Sequence, residues 1–234
     1  MDNTKFLKSV TQGYKNCSPL FGGEANVSLY PATIQYLRTR SLDPEFLSAC
    51  GIVRCLTAEA DIDLHQYHPS AEIGDLIIPV WGVATGGALA DVRLWRVRDG
   101  ERRARFRGGD TIPGAVMAND AARLWLAGES VSRLVICEGE PDWCTRVQTE
   151  RDSAVIGIVN TTWNADLAAA CDRAGEILLL VDDDAAGEQY YAKPIYRSLS
   201  PEAQTRCRRY RAPEGVLDKQ GKRPDQNSLL QLGL

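Results

Sequence analysis

The sequence predicts an α/β protein in which a smaller α+β region precedes a parallel sheet flanked by helices. Two observations predict this fold class. From about residue 121, apolar runs of strand length alternate with helix-like segments, an order typical of a parallel sheet covered by helices. Residues 74–107 instead hold short alternating strands separated by glycine turns. We therefore expect an N-terminal extension over 1–30, an α+β subdomain over 31–120 and an α/β domain over 121–234.

The predicted α+β subdomain starts with two short helices. Pro31 opens the first helix. Asp43 and Pro44 open the second, because an acid at the N-cap and a proline at the first helical position favour a helix start. An apolar strand follows over 75–80, and Thr85-Gly86-Gly87 predicts a hairpin turn.

Two arginine-bearing strands complete this subdomain. Alternation of polar and apolar residues predicts strands over 92–98 and 103–107. Trp95 and Phe106 are expected to face the core. The second strand presents three arginines on its other face: Arg103, Arg105 and Arg107.

The α/β domain is predicted from alternating apolar strands and helix-like segments. We expect helices over 121–128, 165–174 and 185–199 and another from 141 onward, with strands over 134–137, 154–159, 177–181 and 206–210. Because each strand is separated from the next by a helix, the strands are expected to run parallel.

Composition narrows the functional classes. The 234-residue chain is 44% hydrophobic and has a formal net charge of −4, so it can bury a core and has no overall basic charge. No apolar run approaches the ~20 residues of a membrane-spanning helix, and the first residues do not resemble a signal peptide. With seven scattered cysteines, these features predict a cytoplasmic protein with free thiols and no membrane partner.

One group of cysteines and histidines resembles a metal site only loosely. Cys50, Cys55, His65 and His68 have the spacing C-x4-C-x9-H-x2-H, which departs from the usual zinc-finger spacings. We therefore expect buried thiols and loop histidines at these positions, and no zinc.

Acidic residues directly follow two of the predicted strands. One apolar run ends in Glu138, and another ends in Asp182-Asp183-Asp184. Because the carboxyl ends of parallel strands meet at one edge of a sheet, these side chains are expected to lie together. In extended geometry Asp182 and Asp184 project the same way and Asp183 the other. Clustered carboxylates suit Mg²⁺ or Mn²⁺, so the pair of motifs predicts a metal site; each motif alone is also compatible with helix caps or solvated loop acids.

The two acidic motifs together resemble the signature of the Toprim domain. They read Glu138-Gly139-Glu140-Pro141-Asp142 and Asp182-Asp183-Asp184-Ala185-Ala186-Gly187. Toprim domains occur in bacterial-type DNA primases, in topoisomerases of types IA and II and in some nucleases. The resemblance implies that Glu138, Asp182 and Asp184 are catalytic metal ligands, and that Asp142 is the second acid of the primase form of the first motif.

The resemblance to primases covers about residues 30–232 and is strongest over 134–188. A segment from Asp225 resembles the closing primase motif, which implies that Asp225 also approaches the metal, while Asn227 stands in place of a second acid. Upstream, the segment from Tyr36 to Leu42 resembles the start of the N-terminal subdomain of the primase core, with Ser41 where a glycine is usual.

The arginines of the predicted subdomain have a functional and a structural interpretation. In primases, basic residues of this subdomain contact template and nucleotide phosphates, and guanidinium groups suit that role because they bind phosphate bidentately. The corresponding candidates are Arg96, Arg98, Arg105 and Arg107. The alternative is a solvated strand face with salt bridges to Asp91, Asp99 and Glu101. The later group from Arg206 to Arg211 is expected to be a surface strand or loop.

The resemblance implies metal-dependent nucleotidyl transfer that synthesises primers on single-stranded DNA from nucleoside triphosphates. Because no zinc module or helicase domain is recognisable in the chain, we expect a compact protein of phage, plasmid or mobile-element replication that acts beside a separate helicase. Two alternatives stay open: a Toprim nuclease that uses water as the nucleophile, and a non-catalytic nucleic-acid-binding accessory protein. Because of the length of the chain and the lack of a recognisable breakage domain, we do not expect a topoisomerase.

Overall fold

The structure, a computed structural model, divides the chain into two compact units. It describes residues 30–55, 72–96, 111–159, 162–218 and 224–233, together with the backbone of 103–106. The first unit is Met1–Val80 with Leu89–Asp110, and the second is Trp81–Ala88 with Thr111–Leu234. The predicted fold class is confirmed, since an α+β unit accompanies a unit with a mainly parallel sheet. The predicted domain boundaries stay a prediction.

The first unit combines short helices with antiparallel strands. Its elements are α1 (Pro31–Thr39), α2 (Pro44–Ala49), β1 (Arg54–Cys55), most of β2 (Leu76–Gly82), β3 (Leu89–Arg96) and β4 (Arg103–Phe106). β1 pairs with β2 and β3 pairs with β4, both antiparallel. Asp43 caps α2 as predicted, because its carboxylate accepts a hydrogen bond from the Phe46 amide at 2.9 Å. Trp95 is buried as predicted and packs edge-on against the Tyr36 ring.

The turn after α1 has an unusual backbone at Ser41. Its φ is 56°, in the left-handed region that favours glycine. The Leu42 amide donates to the Leu37 carbonyl at 3.0 Å across this turn. Glycine adopts this backbone without strain, so Ser41 carries a conformational cost at this position.

The sheet of the second unit has the strand order β5-β7-β6-β8-β9. Its strands are β5 (Ala115–Ala118), β6 (Val131–Glu138), β7 (Ala154–Ile158), β8 (Ala174–Leu180) and β9 (Cys207–Arg209). As predicted, β6 runs parallel to both β7 and β8, and β9 runs parallel to β8. β5, which the sequence pattern did not predict, is antiparallel to β7.

Helices alternate with these strands. They are α3 (Asp120–Leu126), α4 (Gly139–Thr149), α5 (Ala165–Ala170), α6 (Lys193–Ser198), α7 (Pro201–Arg206) and α8 (Gln226–Gln231). α4 begins two residues earlier than predicted, because Gly139, with a φ of 72°, turns the chain directly into the helix. A π-helical segment, Gly187–Ala192, precedes α6, and α7 was not predicted from the sequence. None of the helices in the described ranges is long and apolar enough to cross a membrane.

The register of β6 and β8 positions the ends of both strands. Cys137 pairs with Leu180, and both side chains are fully buried. The chain therefore leaves β6 at Glu138 and β8 just before Asp182 on the same edge of the sheet. Trp143 of α4 is also fully buried and donates a hydrogen bond to the Val155 carbonyl at 3.3 Å, which fixes this helix against the sheet.

Candidate functional site

Glu138 and Asp182 meet at the carboxyl edge of the parallel strands. The Asp182 amide donates a hydrogen bond to Glu138 Oε2 at 3.3 Å, although the two residues are 44 positions apart in the chain. The Tyr191 hydroxyl, from the π-helical segment, donates another to the same carboxylate. Burial and then the negative charge of Asp182 raise the pKa of Glu138 to about 7. These two predicted site residues are thus in direct contact.

Asp184 and Asp225 extend the negative charge around Asp182. Burial, then the charge of Asp225 and then that of Asp184 raise the pKa of Asp182 to about 6. Asp184 is exposed, and its Oδ1 accepts a hydrogen bond from the Gly187 amide at 2.7 Å. Asp225 caps α8 by accepting from the Ser228 amide. The four acids therefore share one electrostatic environment, contributed by three separate chain segments.

Asp142 lies deeper than the other acids and holds α8 against α4. Only 4% of Asp142 is exposed, and its Oδ1 accepts a hydrogen bond from the Asn227 amide at 2.9 Å. Burial, followed by the charge of Asp225, raises the pKa of Asp142 well above its ordinary value. The fully buried Asn227 donates from its side chain to Thr145 Oγ1 at 3.0 Å. These bonds locate the start of α8, and with it Asp225.

The chemistry of this cluster fits a hard divalent cation. Its side chains offer only carboxylate oxygens, the donors that Mg²⁺ and Mn²⁺ prefer. Burial first, and then the negative charge of neighbouring acids, raises the pKa values of Glu138 and Asp182. In the part of the chain that the structure describes, no three His, Cys, Asp or Glu side chains are already gathered as a metal-binding group. The metal-ligand roles of Glu138, Asp142, Asp182, Asp184 and Asp225 stay predictions.

Arginines that the sequence pattern assigned to a surface strand or loop contact acids of residues 181–188, the loop that follows β8. Arg211 Nη1 lies 3.0 Å from Asp183 Oδ1, and Arg209 Nη2 lies 3.9 Å from the same oxygen. Both arginines also pair with Glu188. Asp183 therefore has charged partners of its own. The sequence signal for this arrangement was the i, i+2 spacing of Arg209 and Arg211, which puts both on one side of an extended segment.

The arginines of the first unit are described only in part. Arg96 is the last residue of β3 and forms ion pairs with Glu72 at 3.7 Å and with Asp75 at 4.0 Å. Arg96 therefore forms salt bridges, as the structural interpretation expected, but these two partners are not the predicted ones. In β4 the backbone of Arg105 pairs with Leu94. Arg98 and Arg107 lie outside the described residues. Phosphate binding by these four arginines stays a prediction.

The cysteines of the loosely zinc-like pattern differ in their surroundings. Cys55 is buried, its thiol donates to the Gly74 carbonyl at 3.9 Å, and burial raises its pKa. Cys50 is partly exposed. His65 and His68 lie outside the described residues, so the expectation of no zinc stays a prediction.

Comparisons with known proteins identify the fold. Neither a protein-family model nor a curated protein matches the chain. The DnaG primase catalytic domain, solved with bound single-stranded DNA, matches with 13% identity and a TM-score of 0.58 over 98% of this chain and 75% of that chain. The E. coli primase catalytic core matches with 12% identity and a TM-score of 0.55 over 99% of this chain and 76% of that chain. A DNA primase domain from Pseudomonas aeruginosa matches with 14% identity and a TM-score of 0.56, covering 97% and 74%. At such identities the likeness shows the fold alone, and the predicted resemblance to the primase core is confirmed at that level.

Proposed function

We propose that the protein is a metal-dependent nucleotidyltransferase that synthesises primers on single-stranded DNA. The observation that carries the proposal is the position of Glu138 and Asp182 at the ends of neighbouring parallel strands, where the Asp182 amide donates a hydrogen bond to the Glu138 carboxylate. Carboxylates that repel one another cost stability, and a cation between them offsets that cost. The fold shared with primase catalytic cores supports this chemistry over other uses of a carboxylate cluster.

In the proposed reaction a primer 3′-hydroxyl attacks the α-phosphate of a nucleoside triphosphate, and pyrophosphate leaves. Glu138, Asp182 and Asp184 would hold Mg²⁺ or Mn²⁺, with Asp225 beside them. A divalent cation supplies neutralisation of the triphosphate charge and orientation of the reacting groups. The hydrogen bonds from Tyr191 and from the Asp182 amide keep the Glu138 carboxylate in place. Positioning and electrostatics then provide most of the rate enhancement.

The proposal extends to the partners of the reaction. The template is single-stranded DNA, the substrates are nucleoside triphosphates, and a separate replicative helicase supplies unwound template. The replication of a phage, a plasmid or another mobile element is the proposed setting. Because basic strands of the first unit would carry the phosphate contacts, template binding is expected to weaken as salt rises.

A product-length assay tests the reaction. The protein is incubated with single-stranded DNA, labelled NTPs or dNTPs, and Mg²⁺ or Mn²⁺, and the products are resolved by length. New labelled oligomers are the expected result, and Asp182→Asn should abolish them. Shortened template without new oligomers would identify a nuclease instead, and neither product would identify a binding protein. Full synthesis by the Asp182→Asn variant would refute the assigned metal site.

A binding experiment tests the arginines of the first unit. Arg105→Gln should weaken binding of single-stranded DNA and reduce the slope of log affinity against log salt by about 1. The matched control is Arg151→Gln, which removes an exposed arginine of the second unit. Equal binding by both variants would support a solvated strand face at β4.

A further inference from the structure

We infer that Arg209 is a positioning residue that shapes the loop carrying Asp182 and Asp184 for cation binding. This loop spans residues 181–188 and is called the acidic loop below. The inference rests on the proposed function and assigns a role to a residue outside the carboxylate motifs.

Arg209 reaches the acidic loop from the neighbouring strand. It is the last residue of β9, which runs parallel to β8, and it pairs with Leu179, close to where β8 ends and the acidic loop begins. Its Nη2 donates a hydrogen bond to the main-chain carbonyl of Asp182 at 2.8 Å. Its Nη1 pairs with the Glu188 carboxylate at the other end of the loop. One guanidinium group therefore bridges both ends of the acidic loop.

The Arg209 side chain is held in place by its surroundings. Only 12% of it is exposed, against 58% for the Arg211 side chain. A planar guanidinium presents several donors in a fixed arrangement, so it can bind a carbonyl and a carboxylate at once. A lysine ammonium is a compact point charge and does not reproduce this geometry.

The π-helical segment also lies close to the Asp182 carbonyl oxygen, through Gly187. A Cβ atom added to Gly187 would lie only 2.1 Å from the Asp182 oxygen, so glycine allows the helical backbone to approach the loop this closely. The same carbonyl accepts the hydrogen bond from Arg209. Two contacts thus fix the main chain at Asp182: the close approach of Gly187, which requires a residue without a Cβ atom, and the hydrogen bond from Arg209.

The ion pairs divide the acids of the acidic loop into two groups. The loop carries four acids, Asp182, Asp183, Asp184 and Glu188. Arg209 and Arg211 pair with Asp183 and Glu188, which reduces the repulsion in the loop without using the remaining two acids. Asp182 and Asp184 are left to face a cation. Loss of Arg209 should therefore weaken cation binding through loop geometry, although Arg209 itself carries the wrong charge to be a ligand.

Mn²⁺ binding to the full chain, measured by electron paramagnetic resonance, tests the inference without any turnover. We compare the wild-type protein with Arg209→Gln, Arg209→Lys and the matched control Arg208→Gln, which alters an exposed arginine of the same strand. Removal of groups that orient metal ligands typically lowers affinity 10- to 100-fold. We therefore expect Arg209→Gln to weaken Mn²⁺ binding at least ~10-fold. Arg209→Lys, which keeps the positive charge, should lose less affinity than Arg209→Gln. Arg208→Gln should bind Mn²⁺ as the wild-type protein does.

The outcomes separate this inference from the proposed function. A purely structural role would lower the melting temperature of Arg209→Gln but leave the Mn²⁺ affinity of the folded protein unchanged, and that result would overturn the inference alone. Wild-type protein that binds no Mn²⁺ would overturn both the inference and the proposed function. If Arg209→Gln does not fold, Glu188→Gln replaces it in the Mn²⁺-binding measurement. Of the contacts of Arg209, this variant removes only the ion pair with Glu188. It should show a smaller loss of affinity, and an unchanged affinity would also count against the inference.

Discussion

Replacing Glu138 with glutamine should stabilise the metal-free protein at pH 8 and have much less effect at pH 5. In the folded protein the pKa of Glu138 rises from 4.5 to about 7, first through burial and then through the charge of Asp182. Because the folded state binds this proton more tightly than the unfolded state, the carboxyl group lowers stability as pH rises from 4.5 through 7. Glutamine keeps the shape of the side chain and removes its charge.

The size of the effect follows from the same two pKa values. The difference of about 7 minus 4.5 corresponds to about 3.4 kcal/mol at ~1.36 kcal/mol per pKa unit. Glu138 is only partly buried, so solvent screening reduces the expected gain to about 1–2 kcal/mol at pH 8. At pH 5 most of this gain disappears, because the folded-state carboxyl group is protonated.

Urea unfolding at both pH values, with EDTA present, measures the effect. Glu129→Gln is the matched control, because it makes the same chemical change at an exposed glutamate of the same unit. We expect a higher free energy of unfolding for Glu138→Gln at pH 8 and no change for the control. An equal gain in unfolding free energy at pH 5 and pH 8, or a loss at pH 8, would refute the conclusion that the ionised Glu138 carboxylate destabilises the folded protein.

Four further outcomes are expected. Added Mg²⁺ should raise the melting temperature of the wild-type protein at pH 8 by binding the folded state, and should not do so for Asp182→Asn. Gly187→Ala should lower the free energy of unfolding by about 1–3 kcal/mol in urea titrations, because the added methyl group meets the Asp182 carbonyl. Asn227→Asp should cost about 3 kcal/mol at pH 8 through a second buried carboxylate beside Asp142, and adding Asp142→Asn should recover part of that loss. Ser41→Gly should stabilise by about 1 kcal/mol by relieving the left-handed backbone.

The parallel sheet and the positions of the main acids could be predicted from the sequence because both depend on local patterns. Apolar runs separated by helix-like segments specify parallel strands. Glu138 and Asp182 follow such runs directly, so the strand order alone brings them to one edge. The placement of Asp184 beside Asp182 assumed an extended chain, whereas residues 183 and 184 lie in a bend, so that placement stays a prediction.

The supporting contacts depend on packing between distant segments and could not be read from local patterns. The bond between the Asn227 amide and Asp142 spans 85 positions, and a lone asparagine gives no sign of its partner. Arg209 was visible as part of a basic stretch, but its approach to the acidic loop follows from β9 pairing with β8. The i, i+2 spacing of Arg209 and Arg211 puts both on one side of the segment, but it does not indicate which part of the chain they contact.

The division of the acids between two strands has a consequence for folding. Glu138 and Asp182 come together only when β6 and β8 pair with Cys137 opposite Leu180. A slip of one residue would turn the side chains of one strand to the other face of the sheet and separate the two carboxylates. Pairing of segments this far apart in the chain carries a loop-closure cost, which slows folding. A cation that binds both carboxylates would therefore stabilise the correct strand register over a shifted one. Metal binding would in this way favour correct pairing of β6 with β8 during folding.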